Sequence, residues 1–298
     1  MEIIDFNLSN VPSLEGVALC LGFFDGIHLG HKAIIKEALN SFKRVALLSF
    51  DTPPAYVIGR KDTTRSLTSV DDKADILEGL GVSYLLIMPF NERIKELSVM
   101  EFINLVLKVI NPSVIYVGED YRFGKGGVGT PETLKDYFKV VTVPLLTVNG
   151  MKFSSKSIRH LIFDGKVEEA SQCLGHYYRI GGIVVEGNHL GRNLGFPTAN
   201  MELDFPYVLP TNGVYMGYAH IHEEVYKCLI SVGTHPTLKE LDVPIIEVYV
   251  FDFKERIYGD FMFIEFVKRI RDMIKFNQIE ELIEQIKRDK ALALKELK

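Results

Sequence analysis

The sequence has 298 residues, of which 47% are hydrophobic and 24% charged, and its formal net charge is −5. This length fits about two domains of roughly 150 residues each, and the apolar content excludes a disordered chain. The negative charge excludes nucleic-acid binding through the field of the whole molecule, so any phosphate group would have to bind locally, in a loop or at a helix end.

The apolar runs and the cysteines indicate a cytoplasmic protein. The longest apolar runs have the length of strands, far below the ~20 residues of a membrane helix, and residues 1–16 lack the pattern of an export signal. Cys20, Cys173 and Cys228 are widely spaced and form no CxxC pattern, which argues against a disulfide framework or a zinc site. We expect no membrane or nucleic-acid partner, and the sequence does not specify an oligomeric state.

Strands and helices alternate in the first half of the chain. Helical patterns at 32–42, 71–80 and 100–110 separate β-branched apolar runs, which lie at residues 17–23, 44–50, 84–88, 114–117 and 140–143. Continuous apolar strands between amphipathic helices are typical of a parallel sheet covered on both faces, and right-handed crossovers make such a sheet doubly wound. We therefore predict a doubly wound α/β domain over residues 1–174.

From about Tyr178 the pattern changes to one strand after another. The predicted strands, which are separated by Gly or Pro, cover residues 180–186, 214–221, 225–231, 245–253 and 261–267. This spacing is typical of an antiparallel barrel or sandwich. Apolar residues at helical spacing predict a charged amphipathic helix from about Gln278. The second domain, residues 175–298, is therefore predicted to be all-β with a C-terminal helix.

The first predicted strand leads into a turn that carries two histidines. His28 and His31 flank Gly30 at the start of a helix. In an open α/β sheet this turn lies at the carboxyl edge, where ligands bind. Unpaired backbone N–H groups at the helix start favour an anion, and imidazoles can donate to phosphate oxygens. The HxGH pattern therefore predicts a phosphate site, and a pair of surface histidines in a helix cap is the alternative.

A second helix start, late in the first domain, carries hydroxyl and guanidinium groups. Ser154 and Ser155 can cap the helix, and Arg159 follows one turn later. Taken alone, this pattern is an ordinary N-cap with a solvated arginine. Together with the two histidines, it predicts a second clamp on a triphosphate.

Two glycine patterns between these motifs do not qualify as nucleotide sites. The stretch 118–125 has five residues between its glycines where a P-loop has four, and Gly126 follows its lysine instead of Ser or Thr. The GxGxxG pattern at 124–129 does not follow a strand and runs into Thr130 and Pro131. We interpret it as a mobile glycine loop.

The second domain contains a glycine-rich loop, residues 187–200, which ends in two polar residues. Its glycines allow close approach to the backbone, and Thr198 and Asn200 offer oxygen ligands that suit Mg²⁺. A barrel-corner turn with a bend at Pro197 is the alternative.

Glu247 is a candidate general base in the second domain. On the predicted strand 245–253 it shares a face with Tyr249, Phe251 and Phe253, because side chains alternate with period two. A carboxylate beside aromatic groups loses hydration, which raises its pKa and favours a role as a base. The alternative is a rim glutamate on an edge strand.

In their order along the chain, these motifs resemble those of a known family. FFDGIHLGH at 23–31, GEDYRFG at 118–124, SSxSIR at 154–159 and GRxLGFPTAN at 191–200 occur in the order found in bacterial bifunctional riboflavin kinase/FAD synthetases, a branch of the HxGH nucleotidylyltransferases. The resemblance covers nearly the whole chain. It implies a nucleotidylyltransferase domain followed by a small β-barrel riboflavin kinase domain, with ATP, riboflavin and FMN as substrates and Mg²⁺ as cofactor.

For the first domain, the resemblance implies transfer of AMP from ATP to FMN, with formation of FAD and release of pyrophosphate. His28 and His31 would be catalytic and hold the phosphates. The implied contacts to ATP come from Gly22, Phe24, Asp25, Gly30, Ser154, Ser155 and Arg159. Asp120 and Arg122 would bind the flavin substrate. Catalysis would then rest on positioning and charge stabilisation, without a covalent intermediate.

For the second domain, the resemblance implies phosphorylation of riboflavin by ATP. Glu247 would take the proton from the riboflavin 5′-hydroxyl as its oxygen attacks the γ-phosphate. Thr198 and Asn200 would bind Mg²⁺ together with ATP. The implied contacts to the nucleotide come from Gly187, Gly191, Arg192 and Pro197, and those to the flavin from Arg271 and Asp272.

Some positions depart from the family pattern. The family often has Asn, His, Thr, Lys, Asn and Glu, in that order, at the positions of Phe23, Pro53, Lys156, Asn193, Ser231 and Met273. Because Pro53 and Lys156 belong to the adenylyl-transfer half, one alternative is a riboflavin kinase with a weak or inactive adenylyltransferase domain. The other alternative is a flavin-binding regulator that turns nothing over.

Overall fold

The computed structural model of the protein describes residues 1–59, 65–145, 147–148, 151–187, 191, 194–234 and 244–298. The contacts between Cα atoms divide the chain into two units, residues 1–155 and 156–298.

A six-stranded sheet, parallel throughout, forms the centre of the first unit. Its strands are β1 (Glu2–Asp5), β2 (Ala18–Leu21), β3 (Val45–Phe50), β4 (Tyr84–Met88), β5 (Val114–Gly118) and β6 (Val140–Val143). They lie in the order β1-β4-β3-β2-β5-β6. The direction of winding reverses between β2 and β5, and the carboxyl end of this switch point is where ligands bind in open α/β sheets.

Helices cover both faces of this sheet. They are α1 (Leu29–Ser41), α2 (Pro54–Val57), α3 (Val70–Leu80), α4 (Glu92–Lys95), α5 (Val99–Phe102), α6 (Lys108–Ile110) and α7 (Pro131–Lys135), with a π-helical turn (Ile103–Leu107) between α5 and α6. Alternate residues of β2 point into opposite cores, Leu19 and Leu21 into one and Ala18 and Cys20 into the other. The predicted doubly wound parallel sheet is therefore confirmed. A short hairpin follows, β7 (Thr147–Val148) and β8 (Met151–Lys152).

The second unit is a closed antiparallel barrel of six strands with a C-terminal helix. The strands are β9 (Tyr178–Val185), β10 (Ala199–Leu203), β11 (Gly213–Ile221), β12 (Glu224–Thr234), β13 (Pro244–Val250) and β14 (Phe261–Arg271). They close in the order β10-β13-β12-β11-β14-β9. Of the two predicted all-β architectures, barrel and sandwich, the barrel is confirmed. The last helix is α10 (Ile279–Glu296).

Two helices, α8 (Ser155–Phe163) and α9 (Val167–Leu174), precede the barrel. Helix α9 buries Val167, Ala170 and Leu174 and packs against β9 and β14. The division at 155/156 therefore groups α9 with the barrel, and the domain boundary at 174/175 stays a prediction. Helix α10 covers the outside of the barrel, where Ala293 and Leu297 pack with Phe251.

Some elements differ from the sequence prediction. The strand predicted at 245–253 ends at Val250, because Asp252 turns the chain with a left-handed φ of 57°. Strands β1 and β10 were not predicted, since neither contains a continuous apolar run. Within the described ranges, no helix combines the length and the apolar character that a membrane crossing requires.

Candidate active sites

The turn between β2 and α1 has an unusual backbone that buried hydrogen bonds hold in place. Phe24 and Ile27 have left-handed φ angles of 53° and 38°, which are strained for residues with a Cβ. The buried carboxylate of Asp25 accepts from the backbone N–H of Leu67 at 2.9 Å, and the hydroxyl of Thr68 accepts from Gly26 N–H at 3.0 Å. Asp25, a predicted ATP contact, therefore supports the turn from beneath.

The two histidines lie against each other at the start of α1. Nδ1 of His28 accepts from the backbone N–H of His31 at 3.3 Å, so the proton of a neutral His28 ring is on Nε2. The rings are stacked, with centroids 3.6 Å apart. A Cβ on Gly30 would lie 3.0 Å from the ring of His28, a tighter contact than most side chains make, so glycine favours this packing.

Burial lowers the pKa of His31 well below its usual value, and the nearby His28 and Lys73 lower it further. His31 is therefore uncharged at neutral pH. Its Nδ1 atom is buried without a hydrogen-bond partner among the described residues. The stacking holds the two imidazole rings in one orientation at the start of α1.

A cavity of about 210 Å³ lies at these histidines. It is lined by His28, Gly30, His31, Ile34, Gly118, Asp120, Val143, Pro144, Leu145, Phe153, Ser154 and Ser155. Ser155 donates its hydroxyl proton to the carbonyl oxygen of Asp25 at 2.9 Å, which ties the start of α8 to the turn. The structure thus brings the HxGH motif together with Ser154, Ser155 and Asp120. Arg159 lies one turn further along α8, in the second unit.

A larger cavity of about 790 Å³ also contains Asp120 and extends over an aromatic wall. Phe50 and Phe90 meet edge to face, with ring centroids 4.9 Å apart, and Tyr121 adds a third ring to the lining. Burial raises the pKa of the Tyr121 phenol, so it stays protonated. Arg122, exposed at this cavity, offers a cation. Aromatic walls beside a guanidinium suit a planar molecule that carries a phosphate.

Sequence reasoning missed Phe50 and Phe90 in this cavity. Phe50 is the last residue of β3, and Phe90 lies two residues beyond β4. Their position at the carboxyl ends of parallel strands is the signal that could have identified them.

The GxGxxG stretch forms a turn beside the same cavity. Gly124, Gly126 and Gly127 all have φ between 66° and 73°. A Cβ on Gly124 would lie 2.8 Å from Cγ2 of Val99, so this position requires glycine for space as well. The stretch does not connect a strand to a helix, which agrees with its interpretation as a glycine loop.

In the barrel, strand register brings the predicted metal ligand and the predicted base together. Asn200 on β10 is paired with Glu247 on β13, and Glu247 is paired with Ser231 on β12. Side chains directly opposite each other on neighbouring strands start about 5 Å apart on the same face. Glu247 therefore lies between Asn200 and Ser231, and Thr198 precedes Asn200 by two residues.

A cavity of about 550 Å³ opens beside Asn200. Four predicted residues line it, Gly187, Pro197, Thr198 and Asn200. Sequence reasoning missed the rest of its polar lining, which consists of Glu186 and the charged turn 253–258. Nη2 of Arg256 in this turn lies 3.3 Å from Oε1 of Glu186. The dense alternation of aromatic and charged residues after β13 is the signal that could have found it.

Two glycines of the glycine-rich loop lie where a side chain would clash with neighbouring residues. A Cβ on Gly187 would overlap the amide of Asn200, and one on Gly191 would lie 2.5 Å from the carbonyl oxygen of Phe196. The carbonyl oxygen of Gly191 accepts from the backbone N–H of Phe196 at 2.8 Å. Arg192, which was predicted to contact ATP, lies outside the described residues.

The donor set at this cavity fits a hard divalent cation bound together with a nucleotide. Thr198 and Asn200 supply neutral oxygens, and Mg²⁺ typically takes few protein ligands and completes its shell with phosphate oxygens and water. Across the described ranges, no group of three or more His, Cys, Asp or Glu side chains could hold a metal. A cation here would therefore depend on the nucleotide phosphates.

Glu247 is exposed, so the loss of hydration expected from its aromatic neighbours is absent in the protein alone. Helix α10 covers the aromatic residues and not the carboxylate, since Nζ of Lys290 lies 5.4 Å from the ring centre of Tyr249 and 5.0 Å from that of Phe251. Phe253 lies beyond the end of β13. Among the described residues, nothing shields this carboxylate from water.

The predicted flavin contacts Arg271 and Asp272 both take part in ion pairs. Arg271 lies 2.8 Å from the buried carboxylate of Asp289 on α10, and Asp272 lies 2.5 Å from Arg269. Arg271 and Glu247 are connected through paired residues on neighbouring strands. Glu247 pairs with Ser231, Ser231 pairs with Val214, and Val214 pairs with Arg271.

Two positions that depart from the family pattern meet near Glu247. Ser231 Oγ lies 3.8 Å from Sδ of Met273. This contact lies beside the predicted base, because Ser231 is paired with Glu247 on the adjacent strand.

Comparisons with known proteins identify a family for each half of the chain. The family model described as FAD synthetase matches residues 11–158, and the model described as Riboflavin kinase matches residues 174–297. A bifunctional riboflavin kinase/FMN adenylyltransferase of Bacillus subtilis (strain 168) is 38% identical over 93% of this chain and 91% of its own length. The protein of the same name from Escherichia coli (strain K12) is 32% identical over 96% and 94%.

Among solved structures, one described as a macrolide-efflux protein from Streptococcus pneumoniae superposes with a TM-score of 0.92 and 31% identity, over 98% of this chain and 99% of that one. Both family models and the full-length relatives thus agree on the organisation of the chain. The chain belongs to the bifunctional riboflavin kinase/FMN adenylyltransferase family.

Proposed function

We propose that the chain converts riboflavin to FAD in two steps, with one active site in each unit. Riboflavin and ATP give FMN and ADP at the barrel, and FMN and ATP give FAD and pyrophosphate at the parallel sheet. The observation that carries the proposal is that each unit holds its own cavity, built around its own phosphate-binding motif. The family models and relatives cover both halves of the chain, and none of them favours a kinase with an inactive adenylyltransferase unit or a non-catalytic regulator.

At the parallel sheet, a phosphate oxygen of FMN attacks the α-phosphorus of ATP. The bond between this phosphorus and the oxygen bridging to the β-phosphorus breaks, and pyrophosphate leaves with the electron pair. His28 donates a hydrogen bond from Nε2 to the phosphates, and His31 holds the ring of His28 in position. Fixed donors that face the developing charge are a main source of rate enhancement. Ser154 and Ser155 line the same cavity at the start of α8.

The FMN substrate occupies the larger cavity of the first unit. Phe50, Phe90 and Tyr121 face the isoalloxazine ring, and Arg122 binds its phosphate. Asp120 lines both cavities, so it lies where FMN and ATP must meet.

At the barrel, Glu247 takes the proton of the riboflavin 5′-hydroxyl while this oxygen attacks the γ-phosphorus, and ADP leaves. Thr198 and Asn200 would hold Mg²⁺, which neutralises phosphate charge when bound with ATP. Because Asn200 and Glu247 are register neighbours, the nucleotide and the hydroxyl would be held side by side. Riboflavin that covers Glu247 also supplies the dehydration that strengthens a carboxylate as a base.

We further propose a cytoplasmic location and small-molecule partners alone. The three free cysteines support a reducing compartment, since two of them, Cys20 and Cys228, are buried singly.

The test is a time course with purified protein, ATP, Mg²⁺ and riboflavin, with the three flavins separated by chromatography. We expect FMN to rise first and FAD to follow. A parallel reaction that starts from FMN isolates the second step. Protein that binds flavin and consumes no ATP would overturn the proposal, and FMN that never becomes FAD would overturn its adenylyltransferase half.

A further inference from the structure

A buried lysine lies beneath the histidine-bearing turn and has no part in the mechanism above. Lys73 on α3 is 2% exposed. Its Nζ atom donates to Oγ of Ser49 at 3.3 Å and lies 4.1 Å from the ring centre of Phe23. An ammonium group in the interior costs free energy unless charged partners or hydrogen bonds compensate it, and here a hydroxyl and an aromatic face provide its closest contacts.

Both contacts lead to the same residue. The hydroxyl of Ser49 donates its own proton to the carbonyl oxygen of Phe23 at 2.8 Å, so Lys73 must be the donor in the bond between Lys73 and Ser49. Lys73 therefore fixes Phe23 by its ring directly and by its backbone through Ser49.

Phe23 occupies a critical position between β2 and the phosphate-binding turn. It lines the 790 Å³ cavity assigned to FMN, and the next residue, Phe24, has the strained left-handed backbone. Strained conformations persist only where surrounding contacts determine them, and they cluster at functional sites.

We propose that Lys73 is a positioning residue for adenylyl transfer, which holds Phe23 so that the strained turn and the flavin cavity keep the geometry in which the two substrates meet. The inference rests on the proposed adenylyltransferase function. Lys73 itself touches neither substrate.

The charged groups around Lys73 come from several elements. Asp25 on the turn, Asp51 after β3 and Asp72 on α3 favour its ammonium form, but burial outweighs them and lowers the pKa of Lys73 to about 8. On the side of α1, the charge of Lys73 helps to keep His31 neutral. Near neutral pH the ammonium form therefore prevails, and it is lost above about pH 8.

Removal of the Lys73 charge should change stability and activity in opposite directions. If Lys73 only stabilised the fold, its loss would lower stability and activity together. A residue kept for positioning at a cost in stability behaves differently, because its replacement by an apolar side chain of similar length raises stability while activity falls.

The experiment compares K73M, K73R, F23L and the double variant K73M/F23L in the full chain, with K36M as a matched control at an exposed lysine on α1. The measurements are kcat and KM for FAD formation from FMN between pH 6 and 10, FMN formation from riboflavin, and urea unfolding. We expect K73M to lower kcat for FAD formation about 10- to 100-fold at pH 7, the range of a misplaced reacting group. FMN formation and resistance to urea should not fall.

The pH profile and the double variant separate positioning from a general effect. In the wild type, kcat should decline above about pH 8, whereas K73R should restore activity and shift the decline to higher pH. K73M should have little further effect in the F23L background, since both changes disrupt one contact.

Wild-type kinetics in K73M, additive effects of K73M and F23L, or a joint loss of stability and both activities would each overturn the inference. A wild-type protein that forms no FAD would instead contradict the proposed function.

Discussion

The two candidate sites are built in opposite ways. At the turn between β2 and α1, Asp25 and His28 are buried and the backbone is strained, and hydrogen bonds with residues 67 and 68 and with Ser155 support it. At the barrel, Glu247 is exposed and lies on a regular strand, where register alone places it beside Asn200.

The difference follows from the kind of element that carries each site. A loop has no repeating geometry, so the HxGH turn requires buried partners to hold one conformation. Neighbouring strands fix the spacing of their side chains, so the barrel site needs no such partners. The backbone of the first site is held in place without a ligand, whereas the carboxylate of the second site is exposed in the protein alone.

The largest expected effect is that of Glu247→Gln on FMN formation. Loss of a general base typically lowers the rate 10²- to 10⁴-fold, and the amide cannot accept the hydroxyl proton. FAD formation from added FMN should be unchanged. Glu202→Gln, at an exposed glutamate on the adjacent β10, is the matched control. Equal losses in E247Q and E202Q would show that Glu247 has no special role.

The second largest effect is expected at the histidine-bearing turn between β2 and α1. His31→Ala removes the ring that stacks on His28, and we expect FAD formation to fall about 10²- to 10³-fold, the usual cost of losing one group that stabilises developing charge. FMN formation should persist. Glu37→Ala, at an exposed residue of the same helix, controls for effects on α1. Undiminished FAD synthesis in H31A would remove the histidine pair from the mechanism.

Burial of charge in the first unit should appear in the pH dependence of stability. The pKa of Lys73 is about 8 in the folded protein, against 10.5 for an ordinary lysine, so between these values the unfolded chain binds more protons and stability rises with pH. The charge should lower the free energy of unfolding by up to about 3 kcal/mol below pH 8, and this cost should vanish above about pH 10.5. The difference between K73M and wild type in urea unfolding at pH 7, 8, 9 and 10 measures it. A constant difference would exclude a buried charge.

The smallest effect concerns the metal at the barrel. Asn200→Ala removes one neutral oxygen ligand from the cavity, and we expect the Mg²⁺ concentration for half-maximal FMN formation to rise about tenfold. The Mg²⁺ dependence of FAD formation should not change. If both reactions shift equally, Asn200 does not act at a metal of the kinase site.

Much of the fold was predictable from the sequence, because long apolar runs and helical periodicity carry strong signals. Strand β4 was predicted with its observed bounds, and the C-terminal helix begins one residue beyond Gln278. Strand β10 was missed because it forms part of a glycine-rich motif, and its pairing with β9 and β13 determines its conformation. Register of this kind depends on contacts between distant segments, which local patterns do not contain.

The sites were predictable only as motifs. The histidines and Ser155 were predicted to clamp one triphosphate and Asp120 to bind the flavin substrate, and the reversal of strand order between β2 and β5 explains why they share one cavity. The sequence left open whether Glu247 is a dehydrated base or an exposed rim glutamate, because the alternation of β13 fixes which face a residue occupies and not whether a helix covers it. The buried contact between Lys73 and Phe23 left no trace in any motif.

The central claim, that one chain carries two independent active sites, is tested most directly by mixing E247Q with H31A. We predict that E247Q alone leaves riboflavin unchanged, that H31A alone stops at FMN, and that an equimolar mixture with ATP and Mg²⁺ converts riboflavin to FAD. FAD formed from riboflavin at the wild-type rate by either variant alone, or a mixture that accumulates FMN and forms no FAD, would contradict the account.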